Sequence, residues 1–298
     1  MASPEFSALA SRLAEFRGTL ALVGSSKNAG KTTALNFLLE RFPSPPAGVT
    51  SIGYDGERID SVERHVKPSI FVGSGTLFAT AADALARSEG DWTVLEKTGL
   101  QTALGEVAVA RANARCRLEL AGPSEREGLI RVSQTMRGLG ARRVLLDGAF
   151  DRVAAAAVQL SDAVVLAVGC AGHHSVEDAA EHARLAVARF QLPELPPHGS
   201  LAPALERASL TDDQLPELDG KSILLPDPSG CLIEATSWRW IESGRVRVFV
   251  RRRAELLAVL TNPFRPHRPP LDARLLLARV RELCQNVPVF DLRLEGLT

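Results

Sequence analysis

One short segment constrains this chain more than any other: Gly24-Ser25-Ser26-Lys27-Asn28-Ala29-Gly30-Lys31-Thr32-Thr33. The apolar run 19–23 reads as a buried strand leading into it, and residues 32–41 read as a helix leading out. A strand, a loop of small residues and a helix in direct succession converge several backbone N–H groups on one point. The positive end of the helix faces the same point. The result is a cradle for phosphate. It also commits the surrounding chain to an α/β sheet, because a buried strand needs neighbours and the helix needs a face to cover.

The P-loop pattern places its first Gly five residues before the Gly-Lys pair. Here Ser25 occupies that position and Gly24 lies one residue earlier, so the loop is one residue longer. The physical requirement is still met by Gly24, Asn28, Ala29 and Gly30. Lys31 is expected to reach the β- and γ-phosphates of ATP, and Thr32 to offer its hydroxyl to Mg2+, with Thr33 beside it. Lys27 reads either as a further phosphate lysine, acting within the chain or across a homodimer, or as a solvated loop residue. Composition sharpens the contrast. Of 35 basic residues only Lys27, Lys31, Lys67, Lys97 and Lys221 are lysine, and two of these sit in this loop.

A magnesium site needs an acid at the end of a neighbouring strand. Residues 143–146 form an apolar run that ends in Asp147-Gly148, and Asp147 is the expected magnesium ligand. Val94-Leu95-Glu96 is the rival, another apolar run ending in an acid. After a further strand at 49–52 come Tyr54, Asp55, Gly56, Glu57 and Asp60. Asp55 is the candidate to orient the attacking water or to meet magnesium through a water; a polar surface turn is the alternative. Cys170 with His173 and His174 lacks further ligands at metal-site spacing and reads as an ordinary loop. No NKxD guanine signature is present, which makes adenine the default base.

The rest of the chain alternates. Phe6, Leu9, Leu13 and Phe16 predict an amphipathic helix over 4–16. Strands are predicted at 69–72, 92–95 and 163–168, and helices over 76–87, 124–139 and 175–190. Ser124 and Glu127 are spaced as a capping box. Residues 104–110 and 117–120 read as strands added antiparallel at a sheet edge. Pro193, Pro196, Pro197, Pro203 and Pro216 mark 191–220 as a connection. Beyond it, 223–225, 231–234 and 246–250 read as short strands, then 256–260, 271–284 and 287–292 as strand, helix and strand. The expected fold is α/β, a mainly parallel sheet with helices on both faces, of P-loop NTPase type. The expected organisation is a nucleotide-binding domain over 1–190, a connection over 191–220, and a C-terminal α/β extension or small second domain over 221–298.

The 35 basic and 35 acidic residues balance, which argues against nucleic acid as a partner. Arg251-Arg252-Arg253 reads as a solvated helix start. No apolar run reaches the roughly 18 residues of a membrane span, and the scattered cysteines suit a reducing cytoplasm.

The longer loop with an internal lysine resembles the P-loop branch that holds dethiobiotin synthetase, cobyric-acid-type amidotransferases and the MinD/ParA ATPases. In the MinD/ParA pattern the extra lysine lies five residues before the catalytic one; here the gap is four. Several phrases together resemble a narrower family. They are the loop itself, Thr50-Ser51-Ile52-Gly53 with Asp55-Gly56-Glu57, Leu104-Gly105-Glu106-Val107, Leu120-Ala121-Gly122-Pro123-Ser124, Val144-Leu145-Leu146-Asp147-Gly148-Ala149, Thr261-Asn262-Pro263-Phe264 and Pro288-Val289-Phe290-Asp291. That family is the ATPase-like reactivase subunit of adenosylcobalamin-dependent lysine 5,6-aminomutase. The resemblance implies ATP-driven exchange of damaged cofactor on a cobalamin-dependent aminomutase, working with a second reactivase subunit. Two other readings share the loop: a small-molecule ligase or kinase of the dethiobiotin synthetase class, and a nucleotide-dependent switch or metallochaperone.

Overall fold

The computed structural model describes residues 4–26, 28–41, 46–53, 69–148, 160–195 and 204–295. The chain opens with α1 (Pro4–Glu15), β1 (Gly18–Gly24), α2 (Lys31–Arg41) and β2 (Ala47–Ser51). It continues with β3 (Ile70–Val72), β4 (Leu77–Ala81), α3 (Ala82–Arg87), β5 (Trp92–Thr102), β6 (Gly105–Ala112) and β7 (Cys116–Leu118). Next come α4 (Arg126–Gly138), β8 (Arg143–Asp147), β9 (Ala163–Gly169) and α5 (Val176–Phe190). The last third holds β10 (Leu205–Glu206), β11 (Ser222–Leu225), α6 (Arg239–Glu242), β12 (Arg247–Val250), β13 (Glu255–Asn262), α7 (Ala273–Leu283) and β14 (Val289–Phe290).

The central sheet has nine strands in the order β14-β13-β9-β1-β8-β2-β4-β6-β5. From β14 to β4 every neighbouring pair is parallel; β6 and β5 add antiparallel at one edge. β1 shows why the sheet is covered twice. Ala21 and Val23 enter one core with side chains of α4, α5 and α7, while Leu20 and Leu22 enter the other with α1 and α2. Strands buried on both faces lose polar alternation and read as continuous apolar runs. The fold is α/β with a large, mostly parallel sheet and helices on both faces.

Several expectations give way. Residues 77–81 are strand β4 and only Ala82–Arg87 is helix; all five β4 residues are buried within the sheet, so tertiary context overrides local pattern. Residues 117–120 do not join the central sheet: β7 pairs antiparallel with β3 in a separate two-stranded sheet. α4 starts on Glu125 with no side-chain cap, so Ser124 and Glu127 form no capping box. A capping box does occur at Thr211 and Gln214, ahead of a short 3-10 helix. Residues 231–234 make only an isolated bridge, Cys231 with Leu210. Arg251-Arg252-Arg253 is no helix start but the link from β12 to β13. There Arg251 pairs with Glu206, and Arg252 lies 3.7 Å from Asp162.

The last third divides in two. β10, β11 and β12 form a parallel three-stranded sheet with its own core, including Leu210, Ile223, Leu225, Trp238 and Val248. β13 and β14 return to the central sheet beside β9.

Candidate functional site

The carboxyl ends of β1, β8, β9 and β13 meet at one edge of the sheet, where ligands of open parallel sheets bind. The loop after β1 is held there from three sides. The Ser25 N–H donates to the carbonyl of Ala167 on β9 at 2.8 Å. Gly169 closes β9 so tightly against the loop that a Cβ on it would lie 2.5 Å from the Ala29 Cα. Asn262, the last residue of β13, donates through Nδ2 to the Asn28 carbonyl at 3.1 Å, and its Oδ1 accepts from Phe264 N–H at 3.3 Å. Asn28 and Gly30 both take positive φ, 59° and 99°. That curl suits Gly and is tolerated by Asn.

Lys31 is the first residue of α2, and its side chain folds back over the loop. A Cβ at Gly24 would lie 3.1 Å from Lys31 Nζ and 3.2 Å from the Ser26 carbonyl. Gly24 therefore supplies the space that lets the ammonium lie above the loop's first residue. The helix begins on the Gly30 carbonyl, which accepts from Ala34 N–H at 3.0 Å. Thr32 and Thr33 follow in its first turn. The hydroxyls of Ser25 and Ser26 are buried and have no hydrogen-bond partner among the described residues. A cradle with a poised ammonium and buried, unsatisfied hydroxyls fits a polyphosphate.

Asp147 closes β8, the strand next to β1, level with Leu22 of β1 and Ser51 of β2. Its main chain is fixed: Ile52 N–H donates to the Asp147 carbonyl at 3.1 Å, and Gly148 N–H donates to Leu22 at 3.0 Å. Glu96 is elsewhere. It lies inside the long edge strand β5, opposite Val109, with Thr135 Oγ1 at 3.4 Å. Five strand spacings separate β5 from β1, about 24 Å at ~4.8 Å each. Of the two acid-ended runs, only that of Asp147 reaches the loop. Lys27 and Asp55 lie outside the described residues.

Two further features lie against the loop. The first is a cleft of about 50 Å³ beside the loop, lined by Gly30 and Thr33 on one wall and Asn262, Pro263, Asp291 and Arg293 on the other. Asp291 is 1% exposed. Its Oδ1 accepts from Arg293 and Leu294 N–H at 3.0 and 3.2 Å, while Oδ2 has no partner among the described residues. The second is His182 on α5, whose Nε2 meets the Ser25 carbonyl at 3.2 Å. Burial holds its pKa below the ordinary 6.5, and nearby His173, with ring centroids 4.8 Å apart, lowers it further.

No family model matches the chain, and no curated protein or solved structure matches it.

Among the described residues no group of three or more His, Cys, Asp and Glu side chains is arranged to hold a metal ion. Cys170 is buried and its thiol is pushed up to about 11 by that burial, while His173 Nδ1 engages Asp178 at 3.2 Å. Among the described residues no helix is long and apolar enough to cross a membrane.

Proposed function

We propose that this chain is a magnesium-dependent ATPase of the P-loop type. The observation that carries the reading is Lys31 Nζ lying over Gly24 at the carboxyl edge of a parallel sheet, one strand from Asp147. In this reading Lys31 neutralises β- and γ-phosphate oxygens, and the backbone N–H groups of the loop through Gly30 and Lys31 donate to the same oxygens. The Thr32 hydroxyl and the Asp147 carboxylate would hold magnesium, which would supply charge neutralisation to the phosphates. Asp55 keeps the role its sequence position suggests, orienting the attacking water. The cleft at Asn262 and Asp291 receives the base. A single buried acceptor, Asp291 Oδ2, suits an exocyclic amino group on a purine base.

The family resemblance extends the proposal to a protein partner. ATP turnover would open an adenosylcobalamin-dependent aminomutase of the lysine 5,6 type, together with a second reactivase subunit, so that intact cofactor replaces damaged cofactor. The deciding experiment measures ATP and GTP hydrolysis with magnesium by wild type and Lys31→Ala, with and without an inactivated aminomutase. ATP turnover that rises with the mutase and vanishes in the variant supports the whole reading. Turnover indifferent to the mutase moves the function to a small-molecule ligase or kinase. Absence of any nucleotide binding overturns the P-loop reading.

A further inference from the structure

We infer that the cleft between the loop after β9 and the loop after β13 is a binding site for an oxyanion, a carboxylate or phosphate group carried by a small molecule. The cleft has a volume of about 240 Å³ and lies between residues 171–174 and 265–268. None of its eight lining residues is acidic, and two are arginines. Neither Arg265 nor Arg268 has a carboxylate partner among the described residues, and both line the same cleft. Two uncompensated guanidinium groups at one concavity repel each other, and an anion removes that cost.

The donors are already held in place. Arg265 is clamped by carbonyls: Nε donates to Pro269 at 2.8 Å, and Nη1 to His173 and His174 at 3.4 and 3.3 Å. Its Nη2 is left without an acceptor among the described residues. Arg268 Nη1 lies 3.1 Å from His174 Nδ1. A guanidinium only donates, so Nδ1 accepts and the His174 proton sits on Nε2, which becomes a further donor. His267 takes a φ of 57°, an unfavourable conformation for a residue with a Cβ, in the turn that presents Arg268. Asp178, the acid in contact with the lining histidines, is already occupied by His174 N–H at 3.1 Å and by His173 Nδ1 at 3.2 Å. Fixed guanidinium edges on a carbonyl scaffold are what carboxylate and phosphate groups select.

Both loops connect to the cradle, one through His182 on α5 and the other through Asn262 at the end of β13. His173 packs its ring on His182, which meets the Ser25 carbonyl. Asn262, three residues before Arg265, holds the Asn28 carbonyl. An anion that draws the two loops together therefore acts on the cradle at both Ser25 and Asn28. The anion site stands by itself; its effect on turnover rests on the ATPase reading.

The test titrates Lys31→Ala, whose cradle is silenced, with inorganic phosphate and separately with succinate by calorimetry. One site is expected, weakened about tenfold or more in Lys31→Ala/Arg268→Gln, the loss of one charge-assisted contact. Arg268 is exposed, so its replacement leaves the fold intact, which circular dichroism checks. Binding of phosphate alone or of succinate alone supports the site and names its source. Failure of Lys31→Ala to bind either probe, or equal binding by the double variant, overturns it. Titration of wild type with ATP is read separately. If ATP does not bind while the anion does, the ATPase reading fails and this site remains.

Discussion

The side-chain amide of Asn262 donates to the backbone carbonyl of Asn28 at 3.1 Å, joining residues 234 positions apart. The same amide lies 3.2 Å from where a Cβ of Gly30 would stand. The far end of the chain thus fixes the curvature of a loop near its beginning. Asn262→Ala deletes this bond and the one to Phe264, about 1 kcal/mol each. Nucleotide affinity measured with a fluorescent ATP analogue should fall several-fold, with a small drop in Tm. Unchanged affinity would show that the loop holds its shape without β13.

Gly169 faces Ala29 with no room for a methyl group. The obstruction is main chain, so Gly169→Ala must move either the end of β9 or the loop. A loss of about 1–3 kcal/mol is expected, as for overpacking elsewhere. It should come with a larger proportional loss of nucleotide binding than of stability. Denaturant unfolding and nucleotide titration, run on the same variant, separate the two.

Asp291→Asn retains the acceptor for Arg293 and Leu294 but offers an amide in place of a carboxylate oxygen at the cleft. Affinity for purine nucleotides should fall several-fold, because the exocyclic amino group of the base loses its charged acceptor. Unchanged affinity in the variant would remove the base from this cleft.

His182 provides a pH dependence with a defined sign. Its folded pKa lies below 6.5, chiefly through burial. Well above 6.5 the side chain is neutral in both folded and unfolded chains and contributes no slope. As pH falls through 6.5 the unfolded chain takes up the proton first, so stability declines until the lowered folded pKa is passed. His173, Asp178 and Arg189 are the charged or titratable groups that face it. His182→Gln should flatten this part of the stability profile, read as the urea midpoint against pH.

Much of the candidate site is legible because its residues are local. The strand, Gly24, Gly30, Lys31 and Thr32 are contiguous, and Asp147 ends an apolar run. Asn262 ends β13 as Asp147 ends β8, so the same rule applied to residues 256–262 would have found it. Asp291 carries the same sign, an acid directly after the apolar run 287–290, and only the empty acceptor in the cleft gives it a role. His182 offered none, because it is defined by a carbonyl 157 residues away. Glu96 misled because a strand that appeared to stop at an acid runs on to Thr102 past two irregularities in pairing. β4 was hidden for the opposite reason. Burial on both faces removed the alternation that marks a strand.

The satellite sheet interrupts the connection between two adjacent parallel strands, β9 and β13. Its neck is tied: Val250 N–H donates to Pro193 at 2.9 Å and Leu195 N–H to Val250 at 3.0 Å. Entry and exit therefore lie within a hydrogen bond of each other. Replacing everything between them by a few flexible residues would close a loop that is already nearly closed, at little entropic cost. The ordinary strand–helix–strand unit is still present beneath the insertion. By chain path the satellite is a module, but Leu185 of α5 lies in its core, so an exchanged module keeps β9, α5 and β13 in order only if it covers that side chain.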